Sequence, residues 1–211
     1  MNKIRLRKFI PDFLLTSLKE IETKRDFNKW VKAGKPIPPV HAAKRMMIRE
    51  YQQKNNSKIL VETGTYTGEM VFVQMPYFSE IYSIELSNYY YKKAVKRFKR
   101  YSQIHLYHGD SALMLKEVVS KLDTAAIFWL DGHYSGGLTA KGELECPIFA
   151  EIDAVVSSPQ KHVMLIDDAH CFVGENDYPT VDELKTYFDN SRRNYTFNVR
   201  NNIIIIELLN N

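Results

Sequence analysis

The stretch FWLDGHYSGG, residues 128–137, places chemically active side chains directly after an apolar run. Phe128, Trp129 and Leu130 lead into Asp131, and His133 follows after a single glycine. A carboxylate can bind a metal ion or a cationic ligand, and a neutral imidazole can accept a proton from a hydroxyl group. Asp131 and His133 are therefore the first candidates for catalytic residues.

Acids also follow the other short apolar runs of the chain. Five predicted strand ends carry six carboxylates, namely Glu62, Glu85, Asp110, Asp131, Asp167 and Asp168. In open α/β sheets, ligands bind beyond the carboxyl ends of the parallel strands. Acids that recur at these positions indicate a binding site, and we predict that they line one edge of the sheet.

The apolar runs alternate with amphipathic stretches, and this βαβα order predicts a mostly parallel sheet with helices on both faces. The predicted strands cover 58–62, 80–85, 103–108, 125–130, 162–167, 195–199 and 203–208. One predicted helix of this part begins near Gly68. The others cover 88–101, 111–121, 146–157 and 180–190. Because a three-residue connection joins the last two strands, we expect them to form an antiparallel hairpin.

The first 57 residues differ from the rest, because they are basic and have a helical pattern. A break at 34–39, rich in proline, is expected to end one helix, and a second helix is predicted over 41–53. We predict an N-terminal helical cap over 1–57 and a ligand-binding domain over 58–211.

The composition is that of an ordinary globular protein, with 45% apolar and 26% charged residues in 211. A net charge of +4 does not require a nucleic-acid partner, and we expect none. The basic, aromatic stretch 89–101 is better explained as an amphipathic helix with a solvated face. No apolar run is long enough to cross a membrane, and Cys146 and Cys171 lack metal-site spacing, so a cytoplasmic location is expected.

The loop ETGTYTG, residues 62–68, follows the first predicted strand and resembles a cofactor-binding turn. Gly64 and Gly68 allow a tight turn and a close approach of the backbone, with Thr65 between them. Glu62 would repel a pyrophosphate but would attract a ligand that carries sulfonium and ammonium groups. This charge pattern favours S-adenosylmethionine over a nicotinamide dinucleotide.

Three further strand ends complete the predicted cofactor pocket. Glu85 can accept hydrogen bonds from both hydroxyls of a ribose. Asp110 and Ser111 can bond to the edge of an adenine, and Asp131 closes the pocket. Each position also has a plainer explanation, because Asp110 can cap a helix and Glu85 can be a solvated strand end.

The order of these motifs resembles that of the class I S-adenosylmethionine-dependent methyltransferases, and in particular a bacterial and viral group of them. The segments that carry the resemblance lie between about Pro36 and Leu208: VETGTYTGEM, IYSIELS, GDS, FWLDGHYSGGLTAKGE, LIDDAH and DYPTVDEL. The chain is also similar, more distantly, to the macrocin and mycinamicin type of sugar O-methyltransferase, whose chains are usually longer. The resemblance implies a Rossmann-like methyltransferase fold with a seven-stranded sheet.

Three aspartates are predicted to form a metal site. Asp131 follows the fourth predicted strand, and Asp167 and Asp168 follow the fifth. Adjacent strands lie about 5 Å apart, so these carboxylates can converge on one hard cation, for which magnesium is the usual choice. In the resembled sugar enzymes, the metal holds two hydroxyls and lowers the pKa of the one that is methylated.

His133 is predicted to be the base that removes the hydroxyl proton, and the resembled enzymes place a base at a similar position. His170 is the alternative, because it follows Asp167 and Asp168. Residues 134–140 have the composition of a flexible lid. The leading hypothesis is an O-methyltransferase for a sugar hydroxyl. A methyltransferase for a catechol-like or other small acceptor, and a non-catalytic module that binds S-adenosylmethionine or a nucleotide, remain open alternatives.

Overall fold

The structure is a computed structural model that describes residues 11–131, 147–191 and 193–210. The strands are β1 (Ile59–Thr63), β2 (Glu80–Glu85), β3 (Ile104–His108), β4 (Ala126–Leu130), β5 (Val163–Ile166), β6 (Tyr195–Arg200) and β7 (Ile203–Leu208). The helices are α1 (Asp12–Lys32), α2 (His41–Asn55), α3 (Glu69–Gln74), α4 (Asn88–Phe98), α5 (Ser111–Ser120), α6 (Ile148–Val156) and α7 (Val181–Asn190). Short 3-10 turns cover Met75–Tyr77 and Ala169–Cys171.

The seven strands form one sheet in the order β3-β2-β1-β4-β5-β7-β6. The first five strands pair in parallel, whereas β7 pairs antiparallel with both β5 and β6. The strand order reverses at β1, where the chain leaves β3 at one edge and returns as β4. This is the Rossmann-like methyltransferase fold with a C-terminal antiparallel hairpin, so the predicted fold class is confirmed.

Two hydrophobic cores cover opposite faces of the sheet, because side chains alternate between faces along a strand. Phe128 and Met164 face α5, α6 and α7. Their neighbours Trp129 and Leu165 face α2, α3 and α4. The face covered by α2, α3 and α4 is called the α2 face below, and the other is called the α6 face.

The N-terminal helices are attached to the α2 face. Met47, Ile48 and Tyr51 of α2 lie in the same core as the strands. The buried guanidinium group of Arg49 pairs with Glu20 of α1 and donates to the carbonyl oxygen of Val73 at 3.2 Å. Through these contacts α1, α2 and α3 are joined.

The element boundaries agree with the predicted ones or differ from them by up to three residues. The most informative difference is at β1, which ends at Thr63 because that residue still pairs with Ile84 and Leu130. Glu62 therefore lies inside the strand, whereas the prediction made it the last residue. Within the described parts of the chain, no helix is both long enough and apolar enough to span a bilayer.

Candidate functional site

Four of the predicted site acids lie on the α2 face of the sheet, at the carboxyl ends of the strands. Trp129 and Leu165 belong to the core on that face, so Asp131 and Asp167, two residues further along, project to the same side. The same alternation directs Glu62 and Glu85 to this face. Because β1 lies between β2 and β4, these acids form a row across the middle of the sheet.

Asp131, Asp167 and Asp168 form a compact cluster. One carboxylate oxygen from each residue lies within 4.8 Å of the others. The backbone N–H of Asp167 donates to the carbonyl oxygen of Leu130 at 3.0 Å, which continues the β4–β5 pairing and brings the first two acids side by side. Asp168 has a φ of 53° and turns its carboxylate back toward them; aspartate tolerates this left-handed conformation better than most residues.

A lysine that the sequence analysis missed lies against this cluster. The ammonium group of Lys44, on α2, pairs closely with Asp167 and lies 3.5 Å from Asp168. Burial acts to lower the pKa of Lys44, but Asp167 and the other two aspartates outweigh it and raise the pKa overall. Lys44 therefore stays charged and supplies a cation to the three acids.

Two of these aspartates, Asp131 and Asp167, are hard to ionise. Burial and the neighbouring Asp167 raise the pKa of Asp131 well above its ordinary value. Burial also raises the pKa of Asp167 to about 6, although Lys44 opposes this shift. Carboxylates so close to one another, around the buried Asp167, need a positive partner to be charged together.

Glu62 lies deep in the predicted cofactor pocket and is held by hydroxyl groups. It accepts a hydrogen bond from Oγ of Ser83 at 2.6 Å, and Oγ1 of Thr65 lies 2.6 Å from the same hydroxyl. Burial raises the pKa of Glu62 to about 8, against the effect of Ser83. A cationic ligand nearby would favour the charged form of this acid.

Glu85 fastens the loop that follows β1. Its two carboxylate oxygens accept hydrogen bonds from the backbone N–H groups of Tyr66 and Ser87, each at 2.7 Å. Gly64 in the same loop donates to the carbonyl oxygen of Ile84 at 2.9 Å. The loop is thus held close to the end of β2, where a ribose was predicted to bind.

Gly68 ends this loop and is the N-cap of α3. Its φ is 72°, and a Cβ atom at this position would lie 2.6 Å from the ring of Phe98 on α4. Both the backbone conformation and the space require glycine here. The sequence pattern identified this glycine, but only the structure shows that α4 is the reason.

Asp110 acts as the N-cap of α5, where its carboxylate accepts a hydrogen bond from the N–H of Ala112 at 2.9 Å. The plainer explanation of Asp110 is therefore correct, and its bond to an adenine stays a prediction. Ser111, the first residue of α5, is buried.

Close to Ser111 lies a second residue that the sequence analysis missed, Glu151 of α6. It is fully buried, and among the described residues neither carboxylate oxygen has a hydrogen-bond partner, although Ser111 and Thr63 lie close enough to favour its charged form. Burial raises the pKa of Glu151 to about 7.

The helical periodicity of the sequence could have identified both Lys44 and Glu151. Lys44 shares the face of Met47, Ile48 and Tyr51, and Glu151 shares the face of the buried Ile148, Ile152 and Val155. A charged residue on an apolar helical face is a candidate for a buried role.

The predicted base His133 and the predicted lid 134–140 lie outside the described residues. The alternative base, His170, is described and is exposed. Its Nδ1 lies 2.8 Å from the side-chain amide nitrogen of Asn202, and its backbone N–H donates to the amide oxygen of that residue at 2.9 Å. Asn202 thus orients His170, which follows Asp168 by two residues in the chain.

Several solved methyltransferase structures are similar to this chain. An O-methyltransferase from Bacillus cereus in complex with SAH has a TM-score of 0.58 and 12% identity, over 89% of this chain and 90% of that one. The O-methyltransferase TomG from Streptomyces achromogenes, involved in tomaymycin synthesis and in complex with SAM, has a TM-score of 0.56 and 14% identity, over 93% and 90%. The N-methyltransferase NodS from Bradyrhizobium japonicum has a TM-score of 0.54 and 11% identity, over 81% and 97%.

At these identities the likeness establishes the fold and not the acceptor atom, which is oxygen in two of these proteins and nitrogen in the third. No family model matches the sequence, and no curated protein matches it.

Proposed function

We propose that this protein is an S-adenosylmethionine-dependent O-methyltransferase that acts on a sugar hydroxyl. The observation that carries the proposal is the convergence of Asp131, Asp167 and Asp168 at the sheet edge that also bears Glu62 and Glu85. A methyl donor and a hydroxyl acceptor must meet in one place, and the two groups of acids provide adjacent sites for them.

The proposed cofactor site consists of the loop after β1 and the ends of the next two strands. Its residues are Glu62, Gly64, Thr65, Gly68, Glu85, Asp110, Ser111 and Asp131. Glu62 would face the cationic part of the donor, which supports the sulfonium ligand over a pyrophosphate. Glu85 would accept ribose hydroxyls with the lone pairs that its two backbone bonds leave free.

The three aspartates have the chemistry of a magnesium site. Their oxygens lie within one coordination sphere, and a cation already contacts them in the form of the Lys44 ammonium group. Asp131, Asp167 and Asp168 would hold the ion, which would supply a positive charge that lowers the pKa of a bound hydroxyl. The residues present fit this group.

We propose His133 as the base that takes the hydroxyl proton, on the strength of its position two residues after Asp131. His170 remains the alternative, supported by its orientation through Asn202. The acids around the site favour a vicinal diol as acceptor, because two adjacent hydroxyls can share one ion. A small diol that is not a sugar is the second candidate, and the involvement of TomG in tomaymycin synthesis supports it.

The cofactor assignment is tested by calorimetry with S-adenosylhomocysteine. Glu85→Gln is expected to weaken binding about 10-fold to 100-fold, because hydrogen bonds to a charged acceptor are worth about 1.5–3 kcal/mol. Glu80→Gln is the matched control, since it lies at the other end of β2 and faces His105. Wild-type protein that binds NAD instead would contradict the assignment.

The acceptor is tested by transfer of a labelled methyl group from S-adenosylmethionine to a panel of sugars, glycosides and catechols. Label on a sugar oxygen supports the first candidate, and label on a catechol oxygen supports the second. Cofactor binding without transfer to any oxygen or nitrogen acceptor would favour the non-catalytic module.

A further inference from the structure

Lys44 occupies an unusual place for a lysine. It lies one helical turn before Met47 and Ile48, so the packing of α2 against the sheet directs its side chain toward the strand ends. Only 12% of the side chain is exposed, whereas lysine is ordinarily among the most exposed residues. Its position is therefore set by the core beneath it and not by a chance surface contact.

The ammonium group lies within the space that a metal ion would use. The carboxylate oxygens of Asp131, Asp167 and Asp168 lie within 4.8 Å of one another, which is the size of a single coordination sphere. Nζ of Lys44 contacts oxygens of two of these three groups. A divalent cation bound to the same oxygens would meet the ammonium group at close range, where two positive charges repel strongly.

We propose that the ammonium group of Lys44 and a divalent cation compete for the Asp131–Asp167–Asp168 cluster. Lys44 holds the acids together when no metal is bound, and it lowers the affinity of the cluster for metal. This inference rests on the metal site of the proposed function and adds to it that a residue of the N-terminal segment tunes that site.

The competition has a thermodynamic consequence for the protein without metal. The carboxylates of Asp131, Asp167 and Asp168 repel one another around the buried Asp167. Removal of their only close cation among the described residues leaves this repulsion uncompensated. Loss of the Lys44 charge should therefore lower the stability of the metal-free protein. It should also increase the stabilisation that a bound metal ion provides.

The experiment is a titration of the full chain with Mn²⁺, in which the electron paramagnetic resonance signal reports the free ion. Lys44→Met is expected to bind Mn²⁺ at least about tenfold more tightly than the wild type, a typical size for coupling between sites. Lys54→Met is the control, because Lys54 is on the same helix but pairs with Glu207, away from the cluster. Its affinity should equal that of the wild type.

Melting temperatures provide a second readout. In EDTA, Lys44→Met should melt below both the wild type and Lys54→Met, and Mn²⁺ should raise its melting temperature by the largest amount. If Lys44→Met does not fold in EDTA, Lys44→Gln retains a polar group at the site and is titrated in its place.

The outcomes separate this inference from the proposed function. Equal or weaker Mn²⁺ binding by Lys44→Met would overturn the competition and leave the metal site in place. Mn²⁺ binding by Lys44→Met alone would support the competition and show that the wild type retains the lysine in place of metal. Absence of Mn²⁺ binding in every variant would overturn both the competition and the metal site, whereas the calorimetry with S-adenosylhomocysteine tests the methyl donor independently.

Discussion

Glu151 illustrates at the residue scale how a carboxylate behaves in an apolar environment. It projects from α6 among buried aliphatic side chains, and its pKa of about 7 lies above the ordinary value of 4.5 because burial disfavours the charge. The folded protein therefore holds the proton more tightly than the unfolded chain does. As the pH rises from 4.5 to 7, the ionisation of Glu151 lowers the free energy of unfolding. Below pH 4.5 Glu151 is protonated in both states, and this destabilisation is absent.

Glu151→Gln should remove this pH dependence. The shift corresponds to roughly 3 kcal/mol, so the variant should gain up to about that much stability relative to the wild type between pH 5 and pH 8. Urea unfolding at the two pH values measures the difference. Glu117→Gln on the exposed face of α5 is the control and should follow the wild type. If the free energy of unfolding changed with pH in the same way in Glu151→Gln and in the wild type, ionisation of Glu151 would not destabilise the fold.

At the scale of the element, the loop between β1 and α3 is shaped by the helices around it. Glu85 of β2 accepts the N–H of Tyr66 from one side, and Phe98 of α4 packs against Gly68 from the other. The basic, aromatic helix α4 supports this loop, because Tyr90, Ala94 and Phe98 form its buried face. Its solvated basic face agrees with the prediction of an amphipathic helix.

Gly68→Ala should destabilise the protein through two effects. The left-handed backbone costs about 1–2 kcal/mol for a residue with a Cβ atom, and the contact with Phe98 adds a packing cost of about 1–3 kcal/mol. Gly34→Ala separates the two, because Gly34 has a φ of 82° and nothing within 4 Å of the added atom. Urea unfolding should therefore show a larger loss at position 68. Equal losses would mean that Phe98 moves aside freely.

At the scale of the whole molecule, the N-terminal helices share a core with the sheet. Trp30 of α1 and Trp129 of β4 are both buried, one in the N-terminal segment and one at the centre of the sheet. Arg49 connects α1, α2 and α3. The division into a cap over 1–57 and a domain over 58–211 stays a prediction, and this packing indicates that the two parts unfold together.

The two tryptophans can show whether the N-terminal helices and the sheet unfold together. In a Trp129→Phe variant, fluorescence reports Trp30 alone, and its unfolding midpoint in urea should coincide with the midpoint from circular dichroism of the whole chain. The reciprocal Trp30→Phe variant should behave in the same way through Trp129. A lower midpoint for Trp30 would mean that the N-terminal segment opens before the sheet and takes Lys44 away from the aspartates.

The local sequence pattern predicted most of the secondary structure. The alternation of apolar runs and amphipathic stretches predicted the order of strands and helices and the final hairpin, because each depends on neighbours along the chain. The same pattern located the acids Glu85, Asp131, Asp167 and Asp168 at strand ends. The bounds of β1 were displaced by one residue, since pairing with β2 and β4 decides where a strand stops.

Contacts between distant segments decided the rest. The convergence of the three aspartates depends on the pairing of β4 with β5, and the contact of Lys44 with Asp167 joins residues 123 positions apart. The helical periodicity does not predict which acid a buried lysine will contact, because the packing of α2 on the sheet determines that partner. The sequence by itself therefore determined the elements and the types of chemical group, and only the tertiary structure decided which of those groups act on one another.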